Sequence, residues 1–233
     1  MKQSMSDNGA GGRRRGYKMK KKTIIAVCAV LAVIALGAAA YAAIDSDYFF
    51  STGKYYREAI EKRDTDPEIV ATFNEHEIYR SAVDYMRQMN VARSAQEAKK
   101  YGSDRDIIDR LVENILILEE AEKRGLAATD EEIEQMVNSA KMTYEMPSGK
   151  EYLDRYCEGA GITIDEYYDI LREQAPRTIA RQKLKNEIGR AFCEENGLEY
   201  TNQNPPAGML EAEEQFIQEL FKANRGKIKY YVD

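Results

Sequence analysis

The chain has 233 residues, of which 43% are hydrophobic and 32% are charged, a size and composition that suit one folded domain with appendages. Residues 1–44 carry eight Lys or Arg and one Asp, whereas the remaining residues carry 26 basic and 39 acidic side chains. An acidic folded part argues against nucleic acid as a partner, because binding to phosphates requires a basic surface.

The first 44 residues predict a membrane anchor. Residues 1–22 are rich in Gly, Ser and Arg without an apolar period, which indicates a disordered cytoplasmic tail. Residues 23–44 carry no charge and are long enough, as one transmembrane helix, to cross a hydrocarbon layer of about 30 Å. The basic cluster keeps the N-terminus in the cytoplasm, so the acidic domain is expected on the extracytoplasmic side of the cell membrane. The alternative is a signal peptide cleaved near the small residues at 40–42, which would release a secreted domain.

Residues 45–66 are interpreted as a polar linker with at most a short helix, and the folded domain is predicted to begin near Pro67. The alternation from Ile69 to Phe73 predicts a strand, followed by a turn over 74–77 and a helix over 78–95. His76 is the only histidine. On a polar turn it is interpreted as a solvated residue, and not as a ligand or as part of a Ser-His-Asp or Cys-His arrangement.

The strongest helical signal lies between residues 103 and 138. Apolar residues recur every three or four positions from Ile107 to Leu118. Gly125 favours a left-handed helix ending, and Thr129 with Glu132 forms a capping box that opens the next helix. The pattern predicts a helical hairpin with one wide apolar face, which the rest of the chain covers.

Further helices and a closing strand are predicted after this hairpin. The predicted ranges are 150–158, 165–173, 177–195 and 210–224 for the helices and 227–232 for the strand. Thr163 and Glu166 form a second capping box. Pro176 is interpreted as the first turn of the long helix, where a missing N–H is tolerated.

The two lone strands would leave their backbone groups unpaired. The simplest solution is that the strand at 69–73 pairs with the strand at 228–232. The sequence therefore predicts a mainly α domain whose N- and C-terminal ends are joined by a small two-stranded antiparallel ladder.

Cys157 and Cys193 are the two cysteines of the expected outer domain. A disulfide is permitted outside the cytoplasm, but two cysteines do not make a disulfide framework. They are interpreted as ordinary helix residues, with a bridge between them as the alternative.

Several of these features resemble one protein family. The segments Val70-Ala-Thr-Phe-Asn74, Glu120-Ala-Glu-Lys-Arg-Gly-Leu126 and Thr129-Asp-Glu-Glu-Ile133 are similar to the N-terminal chaperone domain of SurA-type and PrsA-type extracytoplasmic foldases. The long helix from Arg177 and the closing segment Gly226-Lys-Ile-Lys-Tyr-Tyr231 are also similar to that domain. The resemblance covers about residues 67–233.

The resemblance implies a bacterial chaperone domain that binds unfolded or exported polypeptides. No cofactor, metal or nucleic acid is expected as a partner. Foldases of this type commonly carry a parvulin-type prolyl isomerase module between the long helix and the closing segment. Here only residues 197–208 separate those elements, which leaves no room for the module. A second departure is Asn74-Glu75, where the family usually turns on Asn-Gly.

Methionine and tyrosine side chains form the predicted client-binding surface, since methionine adapts to varied partners and tyrosine joins a large contact area to a polar tip. The predicted residues are Met142, Tyr144, Met146, Tyr152, Tyr156, Tyr167 and Tyr168. For each of them the alternative is an ordinary core or boundary position. No catalytic residue is predicted, because the sequence has no phosphate loop and no Cys/His metal spacing. The alternatives to a general chaperone are a prolyl isomerase-related foldase and an envelope adaptor with one dedicated protein partner.

Overall fold

The computed structural model describes residues 46–201 and 205–232. In chain order the elements are α1 Ser46–Thr65, β1 Ile69–Phe73, β2 His76–Tyr79, α2 Arg80–Arg93, α3 Ala95–Lys100, α4 Asp104–Lys123, α5 Asp130–Glu145, α6 Pro147–Ala160, α7 Ile164–Glu195, α8 Met209–Asn224 and β3 Ile228–Tyr230. The fold is therefore mainly helical with a small antiparallel sheet. Within these residues no helix has the length and apolarity needed to span a bilayer. The predicted tail and membrane span, 1–22 and 23–44, lie outside the described residues.

The helix α1 corrects the interpretation of 45–66 as a linker. It forms 20 residues of continuous helix and packs against α6 and α2. Two glycines allow the close approach to α6. A Cβ on Gly53 would lie 2.1 Å from the carbonyl oxygen of Tyr156, and one on Gly159 would lie 2.0 Å from that of Phe50. The folded domain therefore includes α1 and does not begin near Pro67.

The predicted ladder between the two ends of the domain is confirmed. β1 pairs antiparallel with β3, with Ala71 opposite Tyr230 and Phe73 opposite Ile228. The sheet has a third strand that the sequence analysis missed, since β2 pairs with the other edge of β1 to give the order β2-β1-β3.

The missed strand follows a turn of only two residues. Asn74 has a φ of 51°, a left-handed conformation that asparagine tolerates better than most residues do. Asn74-Glu75 thus turns the chain without a glycine, and His76 lies at the start of a strand and not in the turn.

The signals that end α4 and begin α5 are confirmed. Gly125 has a φ of 71°, and the N–H of Leu126 donates to the carbonyl of Ala121 at 2.9 Å. Thr129 and Glu132 close a capping box in both directions. These contacts are the Schellman ending and the N-terminal cap that the residue types predict.

The predicted shared apolar face of α4 and α5 is wrong. The main partners of α4 are α7 and α8, whereas those of α5 are α6 and α7. Each helix consequently belongs to its own core. The sheet core includes Val70, Phe73, Val83, Ile107, Ile108, Val112, Leu116 and Ile228. The helical core includes Phe49, Val137, Ala140, Leu153, Tyr156, Tyr167 and Leu171.

The helix α7 is continuous over 32 residues, so the predicted break before Pro176 is wrong. The predicted capping box of Thr163 and Glu166 does open the helix. Pro176 lies in its interior, where proline removes one backbone hydrogen bond. Packing on both sides keeps the helix intact: Leu171 belongs to the helical core, and Leu184 packs with residues of α4 and α8. α7 therefore connects the helical core with a separate apolar cluster that it forms with α4 and α8.

Cys157 and Cys193 are both buried and both free. The alternative of a bridge between them is therefore wrong in this structure, and the interpretation as ordinary helix residues is the one that fits.

Candidate functional site

Met142 and Met146 are the most exposed of the predicted client-binding residues, with exposed fractions of 57% and 54%. They lie where α5 ends and α6 begins. Tyr144, between them, is partly exposed, and its hydroxyl donates to Oδ1 of Asp154 at 2.9 Å. We call the surface of Met142, Tyr144 and Met146 the methionine corner.

Tyr152 and Tyr168 lie at the margin of the helical core. The ring of Tyr152 stacks on Phe49 at a centroid distance of 4.6 Å. Tyr168 is buried, and the ammonium of Lys141 lies 5.5 Å from its ring centre. Both rings are held by neighbours of their own, so they contribute little to the exposed surface of the methionine corner.

Tyr156 and Tyr167 fill the helical core and are almost completely buried. Their rings meet edge to face at 5.8 Å. Burial raises the pKa of both hydroxyls, because a phenolate is poorly solvated there. In this structure neither presents a surface to a client, so the geometry favours the alternative of an ordinary core position for both.

A separate groove of about 450 Å³ lies between α4, α7 and the start of β2. We call it the α4–α7 groove. It is lined by His76, Ile115, Leu118, Glu119, Glu122, Ala127, Ala128, Pro176, Arg177 and Ala180. None of these belongs to the residues predicted to contact a client.

The floor of the α4–α7 groove is apolar. Ile115 is buried in the sheet core and Leu118, three residues further along α4, is partly exposed. Opposite them, Pro176 and Ala180 lie one turn apart on α7. The alanine side chain is too short to fill the space between the two helices, so an apolar side chain from outside can enter.

The rim of the groove is polar. Nε2 of His76 lies 3.2 Å from Oε1 of Glu119, and Nδ2 of Asn74 lies 3.4 Å from the same oxygen. Glu122 and Arg177 also line the groove. His76 is therefore held in a strand by a carboxylate partner, which corrects its interpretation as a solvated turn residue.

Sequence reasoning missed the groove because its parts are far apart in the chain. They come from β2, from α4 with the following loop, and from α7. The one available signal was Pro176 within a helical pattern. Proline in a helix interior removes one backbone hydrogen bond, and Pro176 lies in the lining of the groove.

One protein family matches this chain. The profile of the family described as the SurA-like N-terminal domain matches residues 17–190, more than half of the 233-residue chain. The chain belongs to the SurA-like N-terminal domain family. No curated protein and no solved structure gives a match.

The SurA-like match extends over the helical core, over most of the sheet core and over every residue that lines the α4–α7 groove. α8 and β3, which complete the sheet core, follow the matched range. The SurA-like N-terminal domain is the non-catalytic chaperone module of a foldase family. Membership therefore implies polypeptide substrates in general.

The described residues of this SurA-like domain offer neither a metal-holding group nor an ionised thiol at Cys157. Over 46–201 and 205–232, no group of His, Cys, Asp and Glu is arranged to hold a metal ion. Burial raises the pKa of the Cys157 thiol to about 11, so the thiol stays protonated at neutral pH and is a poor nucleophile. The α4–α7 groove, with an apolar floor and hydrogen-bonding groups at its rim, can accept a peptide segment.

Proposed function

We propose that this chain is a membrane-anchored, extracytoplasmic chaperone-like protein that holds unfolded or exported polypeptides and does not isomerise them. The α4–α7 groove is the proposed client site. One observation carries the proposal: an open apolar groove lies inside the range that matches a chaperone module. Membership in the SurA-like family supports polypeptides as the class of substrate, and the open apolar groove supports this position for the site.

The size of the groove suits weak and reversible binding. Its volume of about 450 Å³ lies within the range of ligand pockets, about 300–1,000 Å³. Burying one Val, Leu or Phe side chain contributes about 1.5–3 kcal/mol. Because association itself costs at least about 4 kcal/mol, one or two such side chains give a short-lived complex. A chaperone that must release its client requires weak binding of this kind.

The rim of the groove suits the backbone of many clients. Carboxylates such as Glu119 and Glu122 accept hydrogen bonds from peptide N–H groups, and the guanidinium of Arg177 can donate to peptide carbonyls. The peptide backbone is common to all polypeptides. Recognition through it therefore tolerates many sequences, while the apolar floor selects segments that a folded protein would bury.

The proposed anchor at residues 23–44 would concentrate this weak site at the membrane. A tether converts the encounter with an emerging polypeptide into a nearly intramolecular event, with an effective concentration that reaches the millimolar range for short linkers. Support for the anchor comes from the sequence, where an uncharged span follows a basic cluster. The extracytoplasmic location of the domain is part of the same proposal.

The methionine corner is a second contact surface in this proposal. Met142 and Met146 are exposed, unbranched and adaptable, as expected of a surface that meets varied partners. It shares no residue with the α4–α7 groove. A long client segment could contact both surfaces, and each can be altered independently of the other.

An aggregation assay tests the groove. Full-length protein should slow the aggregation of a chemically denatured exported protein, and Leu118→Glu should reduce this effect several-fold, because a carboxylate in the apolar floor would have to lose its water when an apolar client side chain binds. Leu210→Glu is the matched control, since Leu210 is 60% exposed and lies outside the groove. Full activity in Leu118→Glu, or an equal loss in Leu210→Glu, would contradict the groove as the client site.

Two further measurements separate the alternatives. A prolyl-peptide isomerisation assay should show no acceleration, and acceleration would favour the foldase enzyme. Crosslinking in cells should capture a broad range of exported proteins. One dominant partner, lost on Leu118→Glu, would instead favour an adaptor that uses the same groove.

A further inference from the structure

Glu119 is a partly buried carboxylate at the rim of the α4–α7 groove, with 30% of its side chain exposed. Nε2 of His76 lies 3.2 Å from its Oε1, and Nδ2 of Asn74 donates to the same oxygen at 3.4 Å. Among the described residues, no hydrogen bond or ion pair reaches its Oε2. A carboxylate can accept about four hydrogen bonds in all. Glu119 is therefore held through one oxygen, while the other remains available to a ligand.

Glu122 is a second carboxylate in the lining of the groove. It is exposed, and within the described part of the chain its side chain makes no hydrogen bond and no ion pair. It lies three residues after Glu119 and four after Leu118 on α4, so its Cβ is about 5–6 Å from theirs. An apolar side chain that packs on Leu118 would consequently have both carboxylates beside it.

The cations around the groove are already engaged or lie outside its lining. Of the described lining residues, Arg177 alone carries a guanidinium or an ammonium, and it has an interaction partner of its own. Arg181, which follows the lining residue Ala180 on α7, is not part of the lining. The other cations close in sequence or space pair with carboxylates outside the lining, and these pairs are Lys123 with Glu120, Arg124 with Glu120 and Glu187, and Lys183 with Glu132.

The groove thus offers two kinds of contact next to each other. Its floor around Leu118 and Ala180 accepts an apolar side chain. The free oxygens of Glu119 and Glu122 can accept hydrogen bonds from an ammonium or a guanidinium, and such charge-assisted bonds are stronger than neutral ones. An acidic client side chain would instead meet two like charges.

An extended polypeptide can use both contacts at once. Its residues i and i+2 point to the same face and lie about 7 Å apart. This spacing is close to the separation of about 5–6 Å between Leu118 and Glu122 on α4. The flexible stem of a lysine or arginine side chain covers the remaining difference.

We propose that the α4–α7 groove selects client segments in which a lysine or arginine lies two residues from a large apolar residue. Glu119 is the residue that sets this preference, and Glu122 adds to it. The inference rests on the proposed function, because it names the chemistry of the client at the proposed client site. It adds a preference for basic segments to the apolar selection and backbone recognition described above.

Peptide binding to the full-length protein, measured by fluorescence anisotropy, tests this preference. The probes are three labelled and capped peptides, Gly-Xaa-Ala-Phe-Ala-Xaa-Gly, in which Xaa is lysine, glutamine or glutamate. The lysine peptide should bind about two- to five-fold more tightly than the glutamine peptide, as expected for exposed ion pairs, and the glutamate peptide should bind most weakly. Salt at about 1 M should remove these differences, because the screening length falls to about 3 Å.

The glutamine peptide separates this inference from the proposed function. If the lysine and glutamine peptides bind equally well, the basic preference is overturned and the groove remains a client site. If none of the three peptides binds, both are overturned. If binding of all three is lost in Leu118→Glu, the groove is their site; unchanged binding in that variant would overturn both.

Three variants locate the preference, expressed as the ratio of the dissociation constants of the glutamine and lysine peptides so that a general change in binding cancels. Glu119→Gln should bring this ratio close to one, and Glu122→Gln should lower it in part. Glu211→Gln, which removes an exposed carboxylate outside the lining, should keep it. A general attraction of basic peptides to an acidic domain would survive Glu119→Gln. A full preference in that variant, or an equal loss in Glu211→Gln, would therefore overturn the inference.

Discussion

Replacement of Gly159 by alanine tests whether α1 is part of the folded domain. A Cβ at this position would lie 2.0 Å from the carbonyl oxygen of Phe50 and 3.0 Å from the amide nitrogen of Lys54. Cβ atoms essentially never approach other atoms within 3.0 Å. Because the atoms that must yield are backbone atoms of α1, the whole helix has to move away from α6 by about 1 Å.

The expected loss follows from two opposing effects. Overpacking of a close contact costs about 1–3 kcal/mol, and the displaced helix also loosens Phe49 from the helical core. Alanine in place of glycine within a helix regains about 1 kcal/mol. The free energy of unfolding should therefore fall by about 1–2 kcal/mol, which lowers the melting temperature by about 2–8 °C.

Urea unfolding followed by circular dichroism measures this difference. Gly226→Ala is the control, since nothing lies within 4 Å of an added Cβ and its φ is not in the left-handed region. It should change the free energy of unfolding by less than about 0.5 kcal/mol. If Gly159→Ala is neutral, or more stable by the helix propensity of alanine, α1 is not docked on α6 and the interpretation as a linker is correct.

Other expected outcomes concern caps, the internal proline and the thiols. Thr163→Ala should lower the free energy of unfolding by about 1 kcal/mol at pH 7, because it removes an N-cap. Hydrogen bonds from Thr163 lower the pKa of Glu166, so this contribution is present above the unfolded pKa of about 4.5 and is lost as pH falls through the folded pKa. Only the part of the penalty that comes from the lost hydroxyl bond to the Glu166 carboxylate should shrink in acid, because the lost acceptor for the Glu166 N–H does not titrate. Urea titrations at pH 7 and pH 3 measure both parts, and the absence of a penalty at pH 7 would contradict the capping box. Pro176→Ala should raise the melting temperature, because it restores a helical hydrogen bond worth part of the roughly 3 kcal/mol penalty of an internal proline; a lower melting temperature would show that the proline ring is a needed contact. Cys157 and Cys193 should react with a thiol reagent only on unfolding, since both are buried, and peptide mapping of labelled native protein would reveal any exception.

Local chemistry made much of the fold predictable. The endings and beginnings of helices at Gly125, Thr129 and Thr163 follow from residues within one turn of each other, and the structure has them as expected. The pairing of β1 with β3 was also predictable, because a lone strand cannot satisfy its own backbone. In each case the backbone N–H and C=O groups needed hydrogen-bond partners, and the nearby residues or the second strand offered one simple way to supply them.

The wrong predictions have a common physical cause, because tertiary contacts determine the structure at each of these positions. α1 is rich in polar residues and docks through the small surface around Gly53 and Gly159, which no periodic pattern reveals. α4 and α5 have apolar faces that suit one another, yet α7 lies against both and separates them into two cores. The residues around Pro176 predict the start of a helix. In the structure the helix continues through Pro176, because residues on both sides of it are packed against other helices.

The candidate site was less predictable than the fold. Tyrosine is a residue type that is common on contact surfaces, so Tyr156 and Tyr167 were predicted to be exposed. Both are buried, and the residue type alone cannot distinguish a buried tyrosine from an exposed one. Met142 and Met146 are exposed as the prediction requires. The α4–α7 groove joins β2, α4 and α7, and no sequence spacing connects segments so far apart.

Photocrosslinking at position 118 tests the central claim most directly. A photoreactive amino acid in place of Leu118 puts the probe within the α4–α7 groove, and the same probe in place of Leu210 puts it on an exposed apolar position outside the groove. In cells that export proteins, position 118 should crosslink to many different exported polypeptides and position 210 to few. An absence of adducts at position 118, or an equal yield at position 210, would contradict the account.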